Sequence, residues 1–329
     1  MPTVDCAYYS WFVQQSLGAR RIFPYLAWAT LAFNVAVILW GTVVRATGSG
    51  AGCGDSWPKC GQQFVPANPT VETLIEFAHR SSSFMAGLGV AALFFLSFWA
   101  WPRRHLVRRT ATASAVLIVT EAALGASLVI FGWVKDDISV GRMVVVPLHL
   151  ANTFLLLGAL AVTAWWGSGF ALPTLTGKTK SIRWIGIGLM TLLVVGATGT
   201  LNALADAVFP ASSVAEGIAD EFGATAPMLL RLRILHPVIA IAGGLLVAWI
   251  AAEVGRRASR QTQRLAAAVS IVVLSQFFIG IANIFFLTPL SIQIVHLLVA
   301  DILWLTFVLF VVSWLGDPVP ARTKDLVVT

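Results

Sequence analysis

The stretch VETLIEFAHRSSSFMAGLGVAALFFLSFW, residues 71–99, decides the fold. From Ser81 it runs without a charge to Trp99. A helix needs about 20 apolar residues to cross a bilayer, and this stretch supplies them. One ionisable ring, His79, sits about two turns into it. Such groups are costly in a bilayer and mark function by default. Seven further stretches have the same character: 23–45, 110–132, 143–166, 183–203, 227–252, 264–287 and 290–315. The chain is 58% hydrophobic and 11% charged, where a soluble domain is about 25% charged. The expected fold class is therefore an all-α membrane protein with eight transmembrane helices.

Charge orients the chain. Arg20 and Arg21 precede the first span, Arg103, Arg104, Arg108 and Arg109 follow the second, and Lys178, Lys180 and Arg183 join the fourth to the fifth. Arg256, Arg257, Arg260 and Arg264 join the sixth to the seventh, and Arg322 and Lys324 follow the last. The alternate loops hold Asp55, Glu72, Asp136, Asp137, Asp206, Glu216, Asp220 and Glu221. The positive-inside rule then puts both termini in the cytoplasm of a plasma-membrane protein. The net charge of +7 is mostly this orientation signal, and no basic stripe or stacking motif points to nucleic acid. The first twenty residues lack the apolar core of a cleavable signal. Arg20-Arg21 imitates a twin-arginine signal, but the parity of the later spans needs the first one retained.

Four histidines, His79, His149, His236 and His296, occupy the second, fourth, sixth and eighth spans. Each lies roughly 9–14 Å along its helix, so all four share a depth near the outer face. The chain also repeats. VVRATGSG at 43–50 resembles VVGATGTL at 194–201, FAHRSSSFMAGLGV resembles ILHPVIAIAGGLLV, EAALGASLVI resembles QFFIGIANIF, and PLHLANTFLLL resembles IVHLLVADILW. Self-similarity of this kind implies two similar halves. The expected organisation is a cytoplasmic extension at 1–22, a four-helix bundle at 23–166, a linker at 167–182, a second pseudo-symmetric four-helix bundle at 183–315 and a cytoplasmic tail at 316–329. Outer loops one and three are long and could roof the histidines.

Two neutral imidazoles from alternate helices of a bundle suit the iron of a haem. A bare zinc or copper ion would recruit a cysteine, a carboxylate or a third histidine. A single buried histidine is more often a hydrogen-bonded core residue, but four at matched depth and repeat position are not explained that way. His105 lies among cytoplasmic arginines and reads as solvated. The halves differ beside their first histidine: Glu76 stands three residues before His79, and Arg233 three before His236. A carboxylate beside a haem could move protons, or Glu76 could pair with Arg80. Arg233 could meet a haem propionate. Arg45, Arg80, Arg142 and Arg231 could do the same or be interfacial cations. Glu121, which the repeat sets opposite Gln276, and Asp301 could lie on a proton path or be neutral and hydrogen-bonded. Cys53 and Cys60 share the first outer loop, GSGAGCGDSWPKCGQQFVP, where an oxidising exterior permits a disulfide; two free thiols or half a metal site are the alternatives. Cys6 is expected to be cytoplasmic and incidental.

TGSGAGCGDSWPKC, then IEFAHR, then one histidine in each later even span, resembles haem A synthase over nearly the whole chain. The resemblance implies an oxidoreductase that converts a methyl group of haem O to the formyl group of haem A through a hydroxymethyl form, haem I. It implies that His79 and His149 flank the substrate haem and that His236 and His296 ligate a haem b. It also implies that Glu76 is essential and that Cys53 and Cys60 are the family's first-loop pair. Some members carry a second cysteine pair in the third outer loop, and here NALADAVFPASSVAEGIADEFGATAP has none. Expected partners are lipid, haem O, an unidentified electron-transfer partner and, from the pathway, haem O synthase and terminal oxidase assembly. The rival readings are an electron-transfer cytochrome with two b haems and a haem carrier without chemistry.

Overall fold

A computed structural model describes the backbone of residues 6–318 and the side chains of 18–318. It consists of α1 (Cys6–Ala46), α2 (Val71–Ala100), α3 (Leu106–Ile130), α4 (Val140–Gly167), α5 (Thr179–Val208), α6 (Val214–Glu221), α7 (Met228–Leu232), α8 (Leu235–Gly255), α9 (Arg260–Phe285) and α10 (Leu290–Gly316). A short 3₁₀ turn, Ser49–Ala51, follows α1. Among the described residues there is no β-strand, and eight segments are long and apolar enough to cross a membrane. The protein is an all-helical, multi-pass membrane protein. Of the expected extension, residues 1–5 lie outside the described residues and 6–22 continue α1; most of the expected tail, with Arg322 and Lys324, also lies outside them.

The helix boundaries follow from local chemistry. Thr70, Ser139 and Ser259 each accept a backbone N–H from three residues on, the usual use of a hydroxyl at a helix start. The fifth span was expected to end near residue 203. It runs to Val208 because NALADAV contains no helix breaker before Pro210. The sixth span is broken: α7 ends at Leu232 and α8 begins at Leu235. Pro237 explains the break, since its ring displaces the carbonyl of Arg233 and leaves no N–H to bond it. His236 sits just beyond that break.

Within the first half each of α1–α4 packs on its chain neighbours, and α1 meets α4. In the second half α5 packs on α8, α8 on α9 and α9 on α10. The halves meet where α4 touches α5 and α10 and where α1 touches α10. They do not have separate cores. Leu31, Val90, Val107, Leu160, Leu192, Val247, Val269 and Phe307 belong to one buried cluster that reaches all eight spans. Phe154 and Trp304 stack across the seam at 5.3 Å. Outward-facing residues such as Val119, Ile271, Phe278 and Phe285 are exposed, as a lipid-facing surface requires. At the linker, the ammonium of Lys178 donates to the carbonyls of Trp314, Leu315 and Asp317 and so caps the end of α10. Burial pushes the pKa of Lys178 down.

Candidate haem site and its long loops

Each of the four histidines lies against a glycine of the preceding spanning helix. A Cβ at Gly41 would stand 3.2 Å from Cε1 of His79, and one at Gly125 would stand 3.6 Å from Nε2 of His149. In the second half, a Cβ at Gly199 would stand 3.0 Å from Cε1 of His236, and one at Gly280 would stand 3.4 Å from Cε1 of His296. The missing side chains at Gly41 and Gly199 clear space for their rings, whereas a Cβ at Gly125 or Gly280 would make an ordinary contact. EAALG against QFFIG already aligns Gly125 with Gly280. The other pair is hidden, because the likeness of 43–50 to 194–201 sets Gly199 opposite Gly48. The glycine that meets the histidine is Gly41, seven residues and about two turns earlier.

The rings fit a two-imidazole haem site. His236 and His296 stand with ring centres 6.4 Å apart and planes at 86°. An iron bound by both rings, with each metal–nitrogen bond about 2 Å and each nitrogen about 1 Å from its ring centre, separates the centres by roughly 6 Å. Nδ1 of His79 and Nδ1 of His296 are buried without a hydrogen-bond partner, and Nδ1 of His236 has only the hydroxyl of Thr198 at 3.2 Å. Among the described residues no three histidine, cysteine or acidic side chains converge as a bare metal ion would need.

The second histidine of each half has a partner on the preceding helix. Oε1 of Glu121 lies 3.1 Å from Nδ1 of His149, at an angle too bent for a good hydrogen bond, so the contact is an electrostatic one. Nε2 of Gln276 lies 3.3 Å from Nε2 of His296 and donates to the carbonyl of His296 at 3.1 Å. Asp301 is not with the histidines. It is fully buried in α10, and its carboxyl oxygens have no partner among the described residues.

Glu76 faces the loop between α1 and α2. One carboxylate oxygen accepts the N–H of Cys53 at 2.7 Å, and the other accepts Nε of Arg80 at 3.0 Å. Arg80 in turn donates to the carbonyls of Ser56 and Lys59, each at 2.7 Å. Cys53 and Cys60 form a disulfide. The loop sits so close to the start of α2 that a Cβ at Gly52 would lie 2.5 Å from the carbonyl of Glu72. The ion pair that the sequence allowed between Glu76 and Arg80 is therefore present, and it locks the disulfide loop onto the helix that carries His79.

Arg233 also serves a loop. Its Nε meets Glu221 at 2.7 Å, one terminal nitrogen meets Asp206 at 3.3 Å, and the other donates to the carbonyl of Gly217 at 2.8 Å. Arg231 donates to the carbonyl of Ala224, and Arg142 to those of Lys135 and Asp137. Arg45 crosses between the halves to the carbonyl of Ala203 and the side chain of Gln293. The third loop adds a helix start at Ser213, and the hydroxyl and amide of Ser212 hold Glu216 below the usual carboxylate range. The sequence marked these arginines as cations near a membrane face. It gave no signal for their use as loop staples, because their acceptors are mainly backbone carbonyls.

Known proteins carry the same pattern. A model of the family described as cytochrome oxidase assembly protein matches residues 24–308. A Thermus thermophilus protein named protoheme IX farnesyltransferase is 44% identical over 288 residues, covering 87% of this chain and 47% of that protein. A heme A synthase of Bacillus mycoides is 40% identical over 113 residues, 34% of this chain and 36% of that protein. A heme A synthase of Alkalihalophilus pseudofirmus is 40% identical over 102 residues, 30% of this chain and 33% of that protein. The chain thus spans about half the length of the first relative and about a third of the other two. With the family model matching from the first span into the last, this chain belongs to the cytochrome oxidase assembly protein family, that of the haem A synthases.

Proposed function

We propose that this protein is a haem A synthase, oxidising a methyl group of haem O to the formyl group of haem A through the hydroxymethyl form. The observation that carries the reading is the set of four histidines, each seated against a glycine, with His236 and His296 at a spacing that suits two axial ligands. In this reading His236 and His296 hold a resident haem b, which supplies electron transfer when bound. His79 and His149 hold the haem substrate. The protein contributes position and fixed charge. Glu76 is proposed as the residue that keeps the substrate side closed and manages a proton there, and Arg233 as the anchor of the opposite lid. The two halves are proposed as pseudo-symmetric bundles in the plasma membrane, both termini cytoplasmic and the histidines near the outer face. A redox partner, haem O synthase and a terminal oxidase are the proposed neighbours.

The name of the Thermus relative supports a second reading, transfer of a farnesyl group to protohaem. That relative is about twice as long as the stretch it shares with this chain, so its name also covers residues that have no counterpart here. Making a farnesylated haem and then oxidising it are consecutive reactions, which favours synthase activity in the shared half. The two readings separate on extracted haem. Expressed alone, a transferase converts protohaem to haem O. Expressed with a haem O synthase, a haem A synthase yields haem A. Haem O as the sole new product, with the protein present and haem b bound, would sink the synthase reading.

A further inference from the structure

The clearest chemical difference between the two histidine pairs lies at their second members. We propose that Glu121 is a positioning residue that makes His149 an anionically supported ligand, while Gln276 leaves His296 a neutral one. This deepens the haem reading and rests on it.

The difference is built from several residues. Glu121 projects from α3 one turn before Gly125, and its Oε1 lies 3.1 Å from Nδ1 of His149 on α4. The carboxylate is gripped from α4 by neighbours of that histidine. Nδ2 of Asn152 donates to its Oε2 at 2.5 Å, and the hydroxyl of Thr153 donates to its Oε1. Asn152 is itself fixed by donating to the carbonyl of Leu117 at 2.9 Å and accepting from the hydroxyl of Thr120 at 2.6 Å. The carboxylate therefore has little freedom to leave the imidazole.

The repeat replaces every part of this device. Aligning EAALG with QFFIG puts Gln276 at the place of Glu121. Aligning PLHLANT with IVHLLVA puts Val299 at the place of Asn152 and Ala300 at that of Thr153. The second half thus loses both the charge and the two side chains that hold it. Its Gln276 still touches His296, but as a neutral amide and at Nε2 rather than Nδ1.

The charge of a carboxylate held beside Nδ1 favours the tautomer with the proton on that nitrogen, leaves Nε2 to bind metal, and makes it a stronger donor. Stronger donation favours the oxidised metal. The half proposed to carry out an oxidation is the half with the carboxylate, and the half proposed to exchange electrons lacks it.

Two measurements on the full-length protein test this. In 15N-histidine-labelled protein without haem, His149 is expected to carry its proton on Nδ1. Glu121→Gln keeps an acceptor and should preserve that signal, whereas Glu121→Leu should lose it. In haem-loaded protein, Glu121→Gln should move the potential of the haem that depends on His149 to a more positive value. A His149 signal unchanged by Glu121→Leu overturns the proposal, as does an unmoved potential in haem-bound Glu121→Gln. If Glu121→Leu moves the signal but no bound haem responds to His149→Ala, Glu121 still positions the ring and the haem reading of the first half is what fails.

Discussion

The loop between α1 and α2 is closed on itself by a disulfide and held to α2 by hydrogen bonds with Glu76 and Arg80, whereas the loop after α5 is held at the α7–α8 break by ion pairs on Arg233 with no cysteine. In the sequence, Glu76 and Arg233 stand at matching places with opposite charge and look like a chemical asymmetry. In the structure they are the same device with donor and acceptor exchanged. The carboxylate of Glu76 is on the helix and its arginine follows one turn later; Arg233 sits in the break between α7 and α8, and its carboxylates come from α5 and from Glu221 at the end of α6. The two positions are thus mechanically alike. The asymmetry that touches a histidine ring is the one between Glu121 and Gln276.

The strongest way to break this comparison is at the rings. His236→Ala or His296→Ala should abolish the low-spin haem b absorption, while Glu76→Ala should retain it and stop formyl formation. Absorption spectra of the purified variants and chromatography of extracted haem read both. A Glu76→Ala protein with normal haem A yield would reduce Glu76 to a staple. Glu76→Gln refines the test, since it keeps an acceptor for the N–H of Cys53 but loses the charge that Arg80 meets.

Next come the staples. Arg233→Ala strands two carboxylates that are only 11% exposed, Asp206 and Glu221, and should cost about 3 kcal/mol. Arg80→Ala strands Glu76 alone, and that carboxylate keeps the N–H of Cys53 and a disulfide-closed loop. Its loss should be smaller, and thermal unfolding in one detergent should rank the two. Equal losses would show that the covalent bond contributes nothing to the first lid. Cys53→Ser with Cys60→Ser examines that bond directly. Opening so short a loop should cost about 2.5 kcal/mol from chain entropy. Reductant should lower the melting temperature of the wild type and leave that of Arg233→Ala no further from it than before.

How much of this the residues announced follows from the range of each interaction. Helix spans, the histidines and the cysteine pair were legible because hydropathy and spacing are local or periodic. The Glu121–Gln276 match was legible because the repeat is nearly regular through α3 and α9. The staples were not, since Arg80, Arg142 and Arg233 bind carbonyls whose positions depend on how a whole loop turns. Arg45 was the least predictable, as it reaches Ala203 and Gln293 in the other half. Nor did the sequence suggest one shared core, because α4 and α10 are apolar on the faces that meet each other and equally on those that could meet lipid.

The smallest expected effects lie at the glycines, and they separate the two halves again. Replacing glycine by alanine inside a helix gains about 1 kcal/mol of helix propensity where nothing opposes it. At Gly125 the new methyl would sit 3.6 Å from His149, an ordinary contact, so Gly125→Ala should be neutral or slightly stabilising. At Gly199 it would sit 3.0 Å from His236, and the ring must shift to admit it. That ring has few places to go, because Thr198 holds its Nδ1 and the break before Leu235 fixes its backbone. Gly199→Ala should therefore weaken or retune the haem b signal, with Gly125→Ala leaving that signal unchanged. If both substitutions behave alike, the glycines serve helix packing in general rather than the seating of the histidines.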